Sequence, residues 1–233
     1  MNVNSLHFLN DVDASNTVDS KPIYYWVNKQ DMLVPLDAGY VALVNCTGIT
    51  VQNLHLAKNV QGVLLAYTTN STIVQNNIAE NQKSFTQGVL LWNSWNNTIS
   101  GNNITAIGDT GLELYYSSNN RIVSNNITNN GHYGVYLYHS SNNTISENYI
   151  TDTYRYTDSK GILLMCSSNN VIHGNIIKNN DDGGIMLEGS SSNIISENNI
   201  TDNGELGYRD YGIVLTYLSI WEGYWPPIYS DNN

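Results

Sequence analysis

Residues 134–150 read Gly-Val-Tyr-Leu-Tyr-His-Ser-Ser-Asn-Asn-Thr-Ile-Ser-Glu-Asn-Tyr-Ile, one copy of a unit that recurs from about residue 40 onward. Leu137 marks its most regular position. An equivalent leucine occurs in every copy, at Leu43, Leu65, Leu91, Leu114, Leu137, Leu164, Leu187 and Leu215. The copies are roughly 22–28 residues long, and a period of this size indicates a repeat architecture.

The spacing of aliphatic residues within the unit predicts its secondary structure. Val135 lies two residues before Leu137, with Tyr136 between them, so the side chains alternate with the period of a β-strand. Two isoleucines follow, as at Ile145 and Ile150, and Asn, Ser and Gly separate the short segments, which favours turns over helices. The pattern predicts an all-β fold, a single-stranded right-handed parallel β-helix of about seven to eight coils with three short strands per coil.

A column of asparagines agrees with this fold. It lies between the two isoleucines of each copy, at Asn76, Asn102, Asn125, Asn148, Asn175 and Asn198, and the first coil has Leu54 instead. Equivalent residues of adjacent coils stack about 4.8 Å apart, so their amides can hydrogen-bond along the helix axis. Asparagine also tolerates the left-handed backbone of a sharp turn. We therefore expect a structural ladder at these turns rather than a set of ligand-binding amides.

Composition excludes several functional classes. The chain has 233 residues and a formal net charge of −11, so it lacks the basic surface that would bind nucleic-acid phosphates. It contains no run of about 18 apolar residues that could span a membrane. Cys46 and Cys166 lie about five coils apart, roughly 24 Å, which is too far for a disulfide. The cysteines therefore do not indicate a redox compartment.

The chain divides into three parts. We expect residues 1–39 to form an N-terminal cap, residues 40–216 to form the β-helix repeats, and residues 217–233 to form an aromatic loop and the start of a further coil. A cap is needed because an open β-helix end exposes core and backbone. We expect the chain to be a piece of a larger protein, in which the aromatic run 217–229 contacts another copy or neighbouring repeats.

The repeat Gly-Val-x-Leu-x-x-Ser-x-Asn-Asn-Thr-Ile-x-x-Asn-x-Ile resembles that of the NosD-like group, also described as carbohydrate-binding and sugar-hydrolysis domains. Residues 21–26, Lys-Pro-Ile-Tyr-Tyr-Trp, are similar to segments that precede such repeats in archaeal surface proteins. The resemblance covers nearly the whole chain and implies a β-helix at the cell surface or outside the cell. The group's copper-accessory members imply a metal role, although the four Met and five His here form no close-spaced cluster.

Outward positions of the first strand are candidates for ligand binding. In successive coils they place Trp92, Tyr115 and Tyr138 in one column, with Tyr136 beside it. Flat rings at steps of about 4.8 Å can stack on sugar rings. Alternatively, they pack on one another and on overhanging loops. These four residues are the candidate ligand-binding set.

Acidic residues concentrate in the loops before the first strands. Asp158 lies one coil before Asp181 and Asp182, and Asp210 lies in the next loop. Stacked carboxylates can bind calcium, so all four are candidate metal ligands. Asp158, Asp181 and Asp182 are also candidate catalytic residues for glycoside cleavage, and residues 180–183 are similar to the aspartate pair of β-helical polygalacturonases. The remaining interpretation is a solvated acidic edge that keeps the solenoid soluble.

These observations leave three functional hypotheses. The first is a non-catalytic extracellular or cell-surface module for scaffolding and for glycan or protein binding. The alternatives are a polysaccharide lyase, hydrolase or epimerase acting at the acidic edge, and a NosD-like copper-accessory protein. Seven Asn-x-Ser/Thr sequons can carry glycans, although most follow from the repeat itself: Asn45, Asn70, Asn96, Asn103, Asn126, Asn142 and Asn199.

Overall fold

The computed structural model describes residues 5–81, 83–154, 158–204 and 211–217, and it confirms the predicted right-handed parallel β-helix. Each coil contributes one strand to each of three sheets. A short 3₁₀ helix, Ser5–Phe8, precedes the strands. Within the described ranges, no helix is long and apolar enough to cross a membrane.

The strands are numbered in chain order and fall into three sheets. The first sheet comprises β1 (Thr17–Val18), β2 (Lys21–Val27), β3 (Tyr40–Val44), β6 (Gln61–Ala66), β9 (Gln87–Trp92), β12 (Thr110–Tyr115), β15 (Tyr133–Tyr138), β18 (Lys160–Met165), β21 (Gly183–Glu188) and β24 (Ile213–Thr216). The second comprises β4 (Thr50–Gln52), β7 (Thr72–Val74), β10 (Thr98–Ser100), β13 (Arg121–Val123), β16 (Thr144–Ser146), β19 (Val171–His173) and β22 (Ile194–Ser196). The third comprises β5 (His55–Ala57), β8 (Asn77–Ala79), β11 (Asn103–Thr105), β14 (Asn126–Thr128), β17 (Tyr149–Thr151), β20 (Ile176–Lys178) and β23 (Asn199–Thr201).

Adjacent coils pair in parallel and place like residues on like. Leu137 lies opposite Leu114 in one neighbouring coil and Leu164 in the other, and all three are fully buried. The isoleucines of the second and third sheets stack in the same way, as Ile145 does on Ile122. The core is therefore a set of continuous aliphatic columns along the helix axis.

The parallel pairing begins upstream of the first sequence repeat. β2 lies alongside β3, and the rings of Tyr24 and Trp26 pack against the end of the core. β1 folds back on β2 as an antiparallel hairpin. At the other end, only Tyr217 of the run 217–229 lies within the described residues, so association through that run stays a prediction.

The predicted asparagine column is a buried hydrogen-bonded ladder. Asn148 accepts the backbone N–H of Asn125 through Oδ1 at 2.9 Å. Its Nδ2 donates to Oδ1 of Asn175 at 3.0 Å and to the carbonyl of Ile122 at 3.0 Å. In the first coil, the N–H of Leu54 donates to Asn76 at 3.0 Å. The side chains thus satisfy turn backbone that strand pairing leaves unbonded.

The left-handed residue of each turn lies one position before the ladder asparagine, which corrects the expectation that the asparagine itself adopts this backbone. Glu147 has a φ of 58° immediately before Asn148, and the equivalent residues are Gln75, Gly101, Ser124, Gly174 and Glu197. Because the asparagine side chain must point into the coil to bond its neighbours, the residue before it makes the chain reversal.

Two further ladders occupy other positions of the coil and were not predicted. Ser140 accepts the N–H of Ser117 at 2.9 Å and donates to the carbonyl of Leu114 at 3.1 Å. This ladder consists of Thr68, Ser94, Ser117, Ser140, Ser167 and Ser190. The other consists of Asn97, Asn120, Asn143, Asn170 and Asn193. The repeat therefore uses its polar residues mainly to pair backbone at the turns.

Candidate functional site

The outer face of the first sheet carries the predicted aromatic column. The ring of Tyr115 lies 4.4 Å from that of Trp92, with 10° between the planes, and 4.6 Å from that of Tyr138, with 26° between the planes. The parallel register of β9, β12 and β15 aligns the three residues. Because the ring faces contact one another, a ligand approaching from solvent meets ring edges rather than open faces.

The stack extends around the end of the strands onto two residues of the following turns. Tyr116 stacks on the imidazole of His139 at 5.1 Å and meets Tyr115 edge-on at 5.0 Å. Tyr116 is 46% exposed, more than Trp92, Tyr115 or Tyr138, and His139 is exposed as well. We refer to Trp92, Tyr115, Tyr116, Tyr138 and His139 as the aromatic patch.

Tyr136 lies beside the patch, as predicted, but only 8% of it is exposed. Its ring is 6.4 Å from that of Tyr138, and it packs with Tyr133 and Leu163 in a small apolar cluster outside the main core. Burial raises the pKa of the Tyr136 hydroxyl, with the nearby Glu113 adding to the effect. Tyr136 therefore offers a ligand much less surface than Tyr116 does.

Glu113 is a site residue that sequence reasoning did not single out. In the sheet register it lies opposite Leu90 on one side and Tyr136 on the other. Burial raises its pKa to about 7, and the charge of Asp109 adds to the effect, while a hydrogen bond with Gln87 opposes it. A carboxyl group that titrates near neutrality can give or take a proton at physiological pH. The sequence does contain a signal for this burial, because the predicted register places Leu90 and Tyr136 on either side of Glu113.

Replacing Glu113 with glutamine tests this burial. Because the pKa is raised on folding from 4.5 to about 7, the folded state binds more protons than the unfolded state between these values. Glu113 thus favours the fold fully below pH 4.5 and loses that contribution as the pH rises through about 7. We expect Glu113→Gln to match the wild type at pH 4.5 and to be more stable at pH 8 by on the order of 1–3 kcal/mol.

Urea unfolding across this pH range measures the difference. Glu147→Gln, which removes an exposed carboxylate from a turn, is the matched control. A parallel pH dependence in Glu113→Gln and the wild type would show that Glu113 is not responsible.

An ionic cluster lies at the start of the strands of the first sheet, where two loops enter it, about five residues along the strands from the column of Trp92, Tyr115 and Tyr138. The ammonium of Lys160 contacts the carboxylate of Asp158 and lies 2.9 Å from Oδ2 of Asp182. The Lys160 side chain is only 4% exposed and that of Asp182 10%, whereas Asp158 is 60% exposed. A buried lysine is stable here because two carboxylates compensate its charge.

A histidine and a tyrosine extend this cluster toward Glu113. Nδ1 of His132 lies 3.2 Å from Asp109, and its Nε2 lies 4.0 Å from Asp158. The hydroxyl of Tyr133 donates to Oδ2 of Asp158 at 3.1 Å, and burial together with Asp158 raises the pKa of that hydroxyl. Titratable groups from four successive coils therefore form a continuous line on one face.

The structure describes three of the four predicted acidic residues and brings two of them together. Asp158 and Asp182 come together on Lys160, whereas Asp181 donates its backbone N–H to the carbonyl of Thr153 at 3.0 Å. Asp210 lies outside the described residues, as do Arg155 and Arg209 of the same loops. Of the loops 151–160 and 203–210, the structure describes residues 151–154, 158–160, 203 and 204.

The cluster fits an ion pair better than a calcium site. Calcium takes about six to eight oxygen ligands at about 2.3–2.6 Å, and the space between Asp158 and Asp182 holds an ammonium instead. Among the residues that the structure describes, no group of three His, Cys, Asp or Glu side chains is placed to hold a metal ion.

Comparison with protein families identifies the repeat region. A family model described as right handed beta helix region matches residues 87–223, more than half of the chain. No curated protein sequence matches the chain.

Solved structures share the architecture. A mutant of the periplasmic alginate epimerase AlgG is 20% identical with a TM-score of 0.69, over 80% of this chain and 45% of its own. The Dettilon tailspike protein is 15% identical with a TM-score of 0.51, over 82% of this chain and 51% of its own. Tailspike protein 2 from Escherichia coli O157:H7 bacteriophage CAB120 is 12% identical with a TM-score of 0.51, over 78% and 34%. The chain spans about half or less of each structure, and at these identities the likeness shows the fold alone.

Proposed function

The chain belongs to the right-handed β-helix family, and from that premise we propose that it binds polysaccharide, without cleaving it, on the outer face of its first sheet. The aromatic patch carries this proposal. Five rings lie together on one face, and the accessible ring of Tyr116 is held edge-on against the stack. The pre-positioned ring of Tyr116 loses little side-chain entropy when a sugar packs against its exposed part.

The setting of the patch is consistent with a glycan ligand. Glu113 lies two residues before Tyr115 in β12, and the ionic cluster continues from it toward the start of the strands. The first sheet therefore offers carboxylate, hydroxyl and imidazole groups along the face that carries the rings, and sugar hydroxyls need such hydrogen-bonding partners. One structural neighbour is a periplasmic enzyme that acts on alginate, which supports both a polysaccharide ligand and a location outside the cytoplasm. The resemblance of the repeat to the NosD-like group, and of residues 21–26 to segments of archaeal surface proteins, supports a cell-surface location in this proposal.

Affinity gel electrophoresis against neutral, anionic and amino-sugar polysaccharides tests binding. We expect retardation on at least one of them and a loss of about tenfold in affinity for Tyr116→Ala or for Trp92→Ala/Tyr138→Ala, because each removes ring surface from the patch. Tyr149→Ala, which removes a 37% exposed ring from the third sheet, should bind like the wild type. If no polysaccharide retards the wild type, glycan binding fails and a scaffolding or protein-binding role is left.

A second candidate function is polysaccharide cleavage or epimerisation at the ionic cluster. His132 between Asp109 and Asp158, with Tyr133 and Glu113 nearby, is the observation that favours it. Proton transfer needs titratable groups within reach of one another, and this line supplies them. Turnover on a polysaccharide panel, measured by reducing ends, unsaturated products and sugar stereochemistry, would establish an enzyme if Asp158→Asn abolished it. Turnover that persists in Asp158→Asn would show that it does not arise at this cluster.

A further inference from the structure

The seven sequons lie in different structural settings, although the repeat generates most of them. Asn103, Asn126 and Asn199 begin strands of the third sheet. Asn70, Asn96 and Asn142 occupy left-handed turn positions before the second sheet, and Asn45 occupies a turn after β3. These settings determine whether the side-chain amide is available for chemical modification.

Two sequons of the third sheet are held in a hydrogen-bonded row on the outer surface. Nδ2 of Asn126 donates to Oδ1 of Asn103 at 2.7 Å, and Nδ2 of Asn103 donates to Oδ1 of Asn77 at 2.8 Å. The threonines that complete both sequons are also engaged, because Thr128 donates to the hydroxyl of Thr105 at 3.3 Å. Modifying either asparagine requires the row to open.

Two other sequons have bonded amides as well. Nδ2 of Asn45 donates to Oδ1 of Asn28 at 2.6 Å. Nδ2 of Asn70 makes a longer contact, 3.4 Å, with the hydroxyl of Thr47. Both amides already have partners in the folded chain, although the contact at Asn70 is the weaker of the two.

The remaining sequons are available. Asn96, Asn142 and Asn199 are exposed, and their side-chain amides make no hydrogen bond within the part of the chain that the structure describes. Asn96 and Asn142 both have a φ of 59°, so they stand at sharp turns. Their partner hydroxyls, on Thr98 and Thr144, are half-buried and likewise make no side-chain hydrogen bond to a described residue.

The spacing of the two turn sites also suits bulky groups. The coil between them carries Asn119 at the equivalent turn, but Arg121 stands where the sequon needs a hydroxyl. Asn96 and Asn142 are therefore two coils apart, about 10 Å along the axis. Attached glycans would not compete for the space of a single coil.

We propose that Asn96, Asn142 and Asn199 are N-glycosylation sites and that Asn103 and Asn126 are not modified in the folded protein. In the reaction, Nδ2 forms a bond to the anomeric carbon of a lipid-pyrophosphate-linked oligosaccharide supplied by a transferase. The bond from that carbon to the pyrophosphate oxygen breaks, the lipid pyrophosphate leaves with the electron pair, and the amide proton passes to a base of the transferase. Asn199 lies on the third sheet, whereas Asn96 and Asn142 lie in the turns that follow Trp92 and Tyr138, so glycans at these two sites would border the aromatic patch.

Glycosylation of the folded protein in vitro tests the proposal. The unmodified chain is incubated with a purified oligosaccharyltransferase and a lipid-linked oligosaccharide, and site occupancy is measured by glycopeptide mass spectrometry. We expect the initial rate at Asn96 and Asn142 to exceed that at Asn103 and Asn126 by about tenfold or more, because the latter must first break their hydrogen bonds. Equal rates, or modification of Asn103 and Asn126 alone, would overturn the proposal.

The chain itself offers matched variants. Thr98→Ala should abolish modification at Asn96 while keeping the asparagine. Arg121→Thr completes a sequon at Asn119, which is exposed with a φ of 59°, and should make it as reactive as Asn96. Synthetic peptides covering Asn103 and Asn126 should be modified readily, since they lack the row. Peptides as slow as the folded protein would show that local sequence, rather than the fold, protects these sites.

Discussion

Asn125→Leu is expected to lower the free energy of unfolding by about 3–5 kcal/mol, because one buried amide serves several backbone groups. Oδ1 of Asn125 accepts the backbone N–H of Asn102 at 3.0 Å, and Nδ2 donates to the carbonyl of Ile99 at 2.9 Å and to Asn148 at 3.0 Å. Asn125 is 1% exposed, so water cannot replace these bonds. Leucine leaves the N–H and the carbonyl without partners in the core.

The adjacent residue provides the control. Asn126→Leu makes the same chemical change on the outer surface, where the amide donates one hydrogen bond, to Asn103 at 2.7 Å. We expect a loss of about 1 kcal/mol or less, since water can solvate the freed groups. Urea and thermal unfolding, followed by circular dichroism, measure both variants. Equal destabilisation would mean that the ladder contributes no more than an exposed amide row.

Lys160→Met is expected to cost about 3 kcal/mol at pH 7, because the side chain is buried between two carboxylates. Methionine fills much of the volume but removes the charge, which leaves Asp182, at 10% exposure, beside Asp158 without compensation. Urea unfolding at pH 7 measures this difference.

An exposed pair serves as the matched control. Lys58 lies 2.9 Å from Asp19, with both side chains more than half exposed, and Lys58→Met should cost about 1 kcal/mol or less. Adding Asp182→Asn to Lys160→Met should recover part of the lost stability, and the double-mutant cycle isolates the pair. A Lys160→Met variant that is destabilised no more than Lys58→Met would show that the buried charge is not coupled to Asp182.

Because equivalent residues of adjacent coils stack on one another, the sequence predicts which residues of the site are neighbours. A strand register that repeats without slip puts Trp92, Tyr115 and Tyr138 in one column, and it equally puts Glu113 between Leu90 and Tyr136. The column was predicted, whereas the significance of Glu113 was missed. The burial that raises its pKa arises from side chains packing across coils, which the column positions alone do not describe.

The paths of the loops account for the features of the site that the sequence did not predict. The meeting of Lys160 with Asp158 and Asp182 depends on how the chain enters β18 and β21, and a hydrophobic period does not specify an irregular loop. The repeat pattern also does not predict the tilt of each aromatic ring. The choice between open ring faces and a closed stack was made by the 10° and 26° angles of the folded column.

The sequence by itself determined the β-helix, its coil boundaries, its aliphatic columns and the asparagine ladder, because each follows from residues repeating in a fixed register. Only the tertiary structure decided which side chains of adjacent coils bond, which residue of a turn becomes left-handed, and which charged groups converge where the loops enter the first sheet. The physical reason is that periodicity determines the position of each residue in its strand and the face of the sheet on which its side chain lies. Its rotamer, burial and partners are set by neighbours about 4.8 Å away in space but more than 20 residues away in the chain.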